Sequence, residues 1–125
     1  MKSILVAIIV IFFANIASSQ TLDKLSPRDS TNCQLFKGAN KSERMQYFDK
    51  LKHLIILAKT DSLDDPNIQT YTSVETLYTL IGRPNFHQTD LIFGYYLSSL
   101  NKTCLVEFEL NKLNKIKNFS IKDCN

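Results

Sequence analysis

Three side chains in this sequence stand out as candidates for catalysis or metal binding: the thiol of Cys33 and the imidazoles of His53 and His87. A thiol beside an imidazole forms a nucleophile–base pair, and imidazoles grouped with thiolates or carboxylates form a metal site. Neither histidine has such partners at the spacing of a known ligand motif. Catalysis would require the three side chains to converge in one pocket; the alternative is a structural thiol and two exposed imidazoles. We predict no catalytic residue, no metal and no cofactor.

The carboxylates of Asp61, Asp64 and Asp65 suggest a cation site, but the segment lacks the glycine and the terminal bidentate glutamate of an EF-hand loop. We interpret it as a solvated acidic turn. The sequence contains no Gly-x-Ser-x-Gly element and no glycine-rich phosphate loop, and its three glycines leave little scope for an anion site built from backbone. These absences argue against the enzyme classes that such motifs mark.

The first 19 residues have the pattern of a signal peptide and are not expected to belong to the fold. Lys2 supplies the positive charge, residues 4–14 are almost wholly apolar, and small residues at 17–19 place the cleavage site before Gln20. An uncleaved N-terminal anchor is the alternative. A lipoprotein requires a cysteine directly at the cleavage point, and Cys33 lies well beyond it, so we expect no lipid anchor. The pattern predicts export to the periplasm or secretion, with no membrane span after cleavage.

The mature chain is expected to hold one domain preceded by an arm. Removing 19 of 125 residues leaves 106, which is enough for a single core without obligatory disulfides. Removing Lys2 from 15 basic residues leaves 14 against 12 acidic ones, and this formal charge of +2 argues against a nucleic-acid partner. Residues 20–41 are polar and are predicted to form a loose N-terminal arm over the surface. Residues 42–125 are predicted to form the domain.

The first helix of that domain is predicted over residues 42–59. Ser42 is a suitable N-cap, and apolar residues follow at helical spacing along one face. Ile56 and Leu57 make this face wider than a surface helix needs. They are either covered by the arm or part of a partner surface, and the sequence leaves both readings open.

A second helix is predicted over residues 74–81, where apolar residues recur with a period of 3.6. Thr72 and Glu75 have the spacing of a capping box. Gly82 stands where a left-handed backbone conformation ends many helices, and Pro84 follows where a helix cannot continue.

Three strands are predicted after this helix, at about residues 91–97, 104–110 and 115–122, because apolar and polar residues alternate there. The third strand breaks the alternation, and a bulge near Lys117 and Asn118 restores it. Gly94 marks either a bulge or a close approach of another group to the backbone. The predicted fold class is therefore α+β, with two helices packed on one face of a three-stranded antiparallel meander.

The run VETLYTLIGRP at residues 74–84 resembles the helix of the SmpA/OmlA (BamE-like) family and of the related β-lactamase-inhibitor-protein repeats. Residues 95–97 are similar to the first strand of that family, and residues 105–110 and 115–121 to its final hairpin. The resemblance covers roughly residues 72–121. It implies an ααβββ fold whose outer sheet face and adjoining loops contact partners. The glycine that the family usually has before the second helix is absent, so the resemblance supports the fold more than a role in outer-membrane assembly.

Cys104 and Cys124 are predicted to form a disulfide. Pairing of the second and third strands around a turn at residues 111–114 brings Cys104 close to the end of the chain, where Cys124 lies. This assignment leaves Cys33 free or paired outside the chain. A bond between Cys33 and Cys124 is the alternative, if the arm crosses the sheet edge.

Two helices cover only one face of a three-stranded sheet, so the other face meets water or a partner. Glu107 and Glu109 on that face are expected near Lys115 and Lys117. The predicted partner-binding set combines an aromatic anchor, aliphatic area and charge, and consists of Tyr96, Ile92, Leu105, Glu107 and Glu109. The alternative is that residues 21–40 fold across this face and bury it.

These observations predict a non-enzymatic, secreted or periplasmic protein-binding module of the bacterial cell envelope. Its partner is expected to be another protein, which the sequence does not identify. An inhibitor or immunity-type protein directed against a specific enzyme is the alternative.

Overall fold

The structure is a computed structural model that describes residues 25–39, 43–98 and 104–124. Within these ranges the chain forms three α-helices, a short 3-10 helix and four strands, so the α+β class is confirmed. The elements in chain order are α1 (Pro27–Gly38), α2 (Arg44–Leu51), the 3-10 helix (Lys52–Leu54), α3 (Val74–Ile81), β1 (Phe86–Thr89), β2 (Ile92–Tyr96), β3 (Leu105–Leu110) and β4 (Ile116–Lys122). The signal peptide expected at residues 1–19 lies outside the described residues.

The four strands form one antiparallel sheet in the order β1-β2-β3-β4, so each strand pairs with the next along the chain. The predicted three-stranded meander is present, but β1 adds a fourth strand ahead of the three that the sequence predicts. Phe86 is the one large apolar residue of β1, and the three residues after it are exposed, so no alternation marks the strand. β1 forms because Asp90 and Leu91 turn the chain back and let Thr89 pair with Ile92.

All three α-helices pack against the same face of the sheet. Each places one aromatic ring against a ring of a strand, and the edge-to-face geometry is the favoured one for such pairs. The ring pairs are Phe36–Tyr95, Phe48–Phe108 and Tyr78–Phe93, with centroids 6.1, 6.1 and 5.7 Å apart. The core lies between the helices and this face, as the sequence predicted for the alternate residues of the strands.

α3 has the bounds that the sequence predicted, but its N-cap is Ser73 and not Thr72. The Ser73 hydroxyl accepts the backbone N–H of Thr76 at 3.1 Å. Thr72 is buried, and its hydroxyl accepts the backbone N–H of Ile56 at 2.8 Å. Because the Thr72 hydroxyl is engaged in this tertiary hydrogen bond, it does not form the predicted capping box. Gly82 follows the helix with the positive φ that the sequence predicts, +85°, but its ψ of −175° is extended and not that of the left-handed helix.

α1 lies where the sequence predicted a loose arm over residues 20–41, of which 20–24 and 40–41 are outside the described residues. The Ser26 hydroxyl caps the helix by accepting the backbone N–H of Asp29 at 3.1 Å, and Pro27 begins it. Cys33 and Phe36 are fully buried in the core. These two buried apolar residues are too few to give a clear helical period, so the sequence does not predict this helix.

The helix predicted over residues 42–59 is wrong in its second half, and its expected N-cap, Ser42, lies outside the described residues. After α2 and the 3-10 helix the chain becomes extended at Ile55, with φ −93° and ψ 114°. The backbone N–H of Ala58 then donates to the carbonyl of Ile116 at 2.8 Å. Pairing with the start of β4 therefore prevails over the helical pattern, as tertiary contacts commonly do.

The β3–β4 hairpin contains the predicted bulge. Glu109 pairs with Asn118 and Leu110 pairs with Ile116, so Lys117 is the extra residue on β4. The bulge lets both strands keep their apolar residues on the helix side of the sheet, because it restores the alternation that the sequence breaks at this point.

The predicted disulfide between Cys104 and Cys124 is present, with the two Cα atoms 4.5 Å apart. It joins the residue before β3 to the chain that follows β4. Cys33 is free and buried in the core, so the alternative bond from Cys33 to Cys124 is absent.

Candidate docking face on the sheet

The five residues predicted to bind a partner lie together on the sheet face that points away from the helices. We call this surface the outer face and define it as Phe86, Ile92, Tyr96, Leu105, Glu107 and Glu109. Strand register sets the arrangement, since alternate residues of β2 and β3 point to opposite faces. The cross-strand pairs on this side are Ile92–Glu109, Gly94–Glu107 and Tyr96–Leu105. All six outer-face side chains are partly exposed.

Phe86 is the outer-face residue that sequence reasoning missed. It pairs with Gly94 across β1 and β2, and its ring lies 5.4 Å from the ring of Tyr96 between centroids. A Cβ atom on Gly94 would lie 2.4 Å from the Phe86 ring and 2.7 Å from the Val106 carbonyl oxygen. Of the two roles that the sequence left open for Gly94, a close approach to the backbone is therefore the observed one. The absence of a side chain at this position lets the Phe86 ring pack over Gly94 and contact the ring of Tyr96.

Ion pairs border the outer face along β4. Lys122 Nζ lies 3.1 Å from Glu107 Oε1, and Lys117 Nζ lies 3.6 Å from Glu109 Oε1. The expected proximity of Lys117 is confirmed, whereas Lys115 turns away and its ammonium donates to the carbonyl of Tyr71 at 3.4 Å. The carboxylates of the outer face therefore have lysine partners within the chain.

A groove of about 260 Å³ opens at the end of the sheet where the β1–β2 and β3–β4 connections meet. Ile92, Glu109 and Lys117 line this groove, and the first two also belong to the outer face. The groove is also lined by the apolar side chains of Leu110 and of Leu91, which is 40% exposed. The outer face and the groove form one continuous surface.

The acidic segment before α3 is a loop braced by its own carboxylates. Asp65 accepts the backbone N–H of Asn67 at 2.9 Å and the hydroxyl of Tyr71 at 3.0 Å. The hydrogen bond to Asp65 raises the pKa of the Tyr71 hydroxyl. Asp61 accepts the backbone N–H of Lys112 at 2.9 Å, which ties the loop to the β3–β4 turn. Within this loop Leu63 is 75% exposed, more than the other exposed large apolar side chains of the described chain.

The three side chains with potential chemistry occupy different surroundings. Cys33 has no exposed surface, and burial raises the pKa of its thiol. His53 is exposed, with Nε2 3.2 Å from Asp29 Oδ2. His87 is exposed on β1, with its ring 5.8 Å from that of Phe93. In the portions of the chain that the structure describes, no three His, Cys, Asp or Glu side chains group closely enough to hold a metal ion.

The described helices include none that is long and apolar enough to cross a membrane. The chain matches no protein-family model, no curated protein and no solved structure. The properties of its own residues therefore carry the assignment of function.

Proposed function

We propose that this protein is a non-enzymatic docking module, exported by a cleaved signal peptide at residues 1–19, that binds another protein with its outer face. The single observation that carries the proposal is the contiguity of that face. An aromatic pair, Phe86 and Tyr96, lies beside the aliphatic side chains of Ile92 and Leu105, on the sheet side opposite the helices. An aromatic anchor within aliphatic area and a charged rim is the composition of partner-binding patches.

The environments of the potentially reactive side chains support a binding role over a catalytic one. The Cys33 thiol is enclosed in the core, and a raised pKa keeps it protonated, so it is a poor nucleophile. His53 is engaged with Asp29 on the surface. The resemblance of residues 72–121 to the SmpA/OmlA family favours a partner in the bacterial cell envelope.

The test is site-specific photo-crosslinking in the cells that make the protein. A photoreactive amino acid replaces Leu105 or Glu107 on the outer face, and Leu35 of α1, which is 42% exposed, serves as the matched control. Both outer-face positions are expected to capture the same protein, and position 35 is not. Equal capture from all three positions, or none from the outer face, contradicts the proposal.

A substitution then separates docking from folding. Tyr96→Ala is expected to weaken binding of the captured protein at least tenfold, about 1.4 kcal/mol, while the domain keeps nearly all its stability. Urea denaturation and binding of the purified partner measure the two quantities. If the variant unfolds readily and still binds with unchanged affinity, the outer face belongs to the core and the site is assigned wrongly.

An inhibitor or immunity-type protein is the second candidate, and the loop that carries Leu63 favours it. An exposed apolar side chain on a loop held by internal hydrogen bonds can enter the concave site of an enzyme at low entropic cost. Leu63→Asp distinguishes the two candidates once the partner is known. A larger loss of affinity from Leu63→Asp than from Leu105→Asp identifies the loop as the inhibitory element, and the reverse order supports the sheet-face module.

A further inference from the structure

The loop between the 3-10 helix and α3 presents one large apolar side chain to solvent. Leu63 is 75% exposed and lies between Asp61 and Asp64 in the sequence. The loop around it is braced, since Asp61 accepts the backbone N–H of Lys112 at 2.9 Å and the Ser62 hydroxyl accepts the backbone N–H of Asp64 at 3.2 Å. An apolar side chain on a braced loop loses little conformational entropy when another molecule buries it.

The groove at the end of the sheet lies next to this loop. Its volume is about 260 Å³, and Leu91, Ile92 and Leu110 form its apolar lining. Asp61 also lines the groove and is two residues from Leu63, so the loop and the groove share one end of the molecule. Because Leu63 remains largely exposed, it does not fill the groove of its own chain.

Charges at the groove complement those at the loop. Lys112 lines the groove with an exposed side chain. Glu109, also in the groove wall, has its own partner in Lys117, with Oε1 and Nζ 3.6 Å apart. Asp64 presents an exposed carboxylate next to Leu63. A leucine that enters this groove with an adjacent carboxylate therefore meets an apolar lining with an adjacent ammonium, and the opposite charges favour that arrangement.

We propose that the groove is a self-association site, in which two copies of this chain each insert Leu63 into the groove of the other and pair Asp64 with Lys112. Because the loop and the groove lie at the same end of the molecule, one two-fold contact seats both loops at once. Two buried leucines then offset a single loss of translational and rotational freedom. The contact is small, so we expect a weak dimer that forms at micromolar to millimolar concentration.

The dimer is separate from the docking role of the outer face. It covers the end of the sheet where Ile92 pairs with Glu109, and it leaves the opposite end, where Tyr96 pairs with Leu105, open to a partner. It also covers Leu63, so an enzyme could engage the loop only after the two copies separate. The inference therefore needs no partner protein and is tested on the purified mature chain alone.

Sedimentation velocity measured from about 10 μM to about 1 mM protein tests the association. The wild type should show a rising dimer fraction, and Leu63→Asp should raise the dissociation constant at least tenfold because it places a charge against the apolar lining. Leu35→Asp on α1, where the leucine is 42% exposed, is the matched control and should leave the constant unchanged. A wild type that stays monomeric throughout this range would overturn the proposal and leave the loop and the groove to other partners. Equal effects of the two variants would overturn it as well.

A charge exchange tests how the two copies are arranged. Asp64→Lys and Lys112→Asp should each weaken the dimer because each sets like charges against one another, and the double variant should recover most of the affinity. In a mixture of isotope-labelled and unlabelled wild type, filtered NMR spectra should show contacts from the Leu63 methyl groups to Leu91 or Leu110 of the other copy. A double variant that associates no more tightly than either single one, or contacts between copies that do not include Leu63, would contradict the proposed arrangement.

Discussion

The two faces of the sheet are built from the same strands and have opposite characters. On the helix side, Phe93, Tyr95, Val106 and Phe108 have at most 1% of their surface exposed. The ring of Phe108 alone contacts four other rings, those of Phe48, Phe93, Tyr95 and Phe119. On the outer face the side chains from β2 and β3 are only partly buried, while Gly94 between them is buried beneath the Phe86 ring, and Phe86–Tyr96 is the ring pair described there.

The difference shows that stability and recognition are separated residue by residue along each strand. A shift of one residue in the pairing of β2 with β3 would exchange the two sets, because side chains alternate with a period of two. Gly94 bears on this register, whereas the disulfide and the bulge at Lys117 bear on the register of β3 with β4. Substitutions on each face, and then at the disulfide and at Gly94, test whether stability and recognition are separated in this way.

The largest effect is expected from truncation within the core face. Phe108→Ala should cost about 4 kcal/mol, since it removes a fully buried ring and leaves a cavity among its neighbours. Leu105→Ala, on the same strand but on the outer face, should cost less than about 1.5 kcal/mol because that side chain is only partly buried. Urea denaturation of both variants checks the difference. Equal costs would mean that the outer face is core as well.

Removing the disulfide should have the next largest effect. The bond spans 20 residues, and opening a loop of that size costs about 3 kcal/mol in unfolded-state entropy. The double variant Cys104→Ser, Cys124→Ser should therefore unfold at lower urea concentration than the wild type under non-reducing conditions. Its β3–β4 register, measured by cross-strand NMR contacts, should stay unchanged because the bulge and the buried rings still define it. A loss below about 1 kcal/mol contradicts the entropic estimate.

Gly94→Ala should destabilise the protein by about 2 kcal/mol, although position 94 lies on the side of the sheet that points away from the helices. The added Cβ would meet both the Phe86 ring and the Val106 carbonyl oxygen. Phe86→Ala in the same chain should recover part of the loss by removing the ring, but not the part that comes from the backbone contact. Thermal unfolding of the single and double variants measures the recovery. No loss in Gly94→Ala would show that Phe86 does not lie against the glycine.

Tyr95→Phe should give the smallest change at neutral pH, about 1 kcal/mol, because it removes one buried hydrogen bond. The Tyr95 hydroxyl donates to the Gly82 carbonyl at 2.7 Å, and burial raises its pKa well above the ordinary 10.0. The folded state therefore favours neutral tyrosine, and this stabilisation is complete below pH 10 and is lost as the pH rises further.

Stability measured between pH 9 and pH 12 isolates this contribution. Above pH 10 the wild type should lose up to about 1.4 kcal/mol per pH unit through Tyr95, and the Tyr95→Phe variant should lose correspondingly less. Parallel pH curves for the two proteins would show that the hydroxyl ionises as readily in the folded state as in the unfolded one.

The C-terminal half of the fold could be predicted because its signals are local. α3 has a full helical period, a cap and a terminal glycine, and β3 alternates strictly between partly exposed and buried residues. The outer-face set followed from that alternation. Phe86 was missed because its strand exists only through pairing with β2.

The N-terminal half could not be predicted equally well because distant contacts decide it. The chain leaves the helical path at Ile55 in order to pair with Thr72 and Ile116, residues far away in sequence. The guanidinium of Arg44 donates a hydrogen bond to Asn85, a residue 41 positions later in the sequence. Ser26 and Pro27 did mark the start of α1, since a serine cap followed by proline is a local signal, but the sparse apolar stripe behind them hid the helix.

The burial of Cys33 has a consequence for how the chain acquires its disulfide. An oxidant that meets the unfolded polypeptide can join any two of the three cysteines, so three single-bond isomers compete. Docking of α1 withdraws Cys33 from this competition, because its thiol has no exposed surface and its raised pKa leaves little thiolate to react. The short separation of Cys104 and Cys124 then favours their encounter. If α1 docks before oxidation, the chain reaches the correct bond directly; if oxidation comes first, thiol exchange must release Cys33 before the core can close.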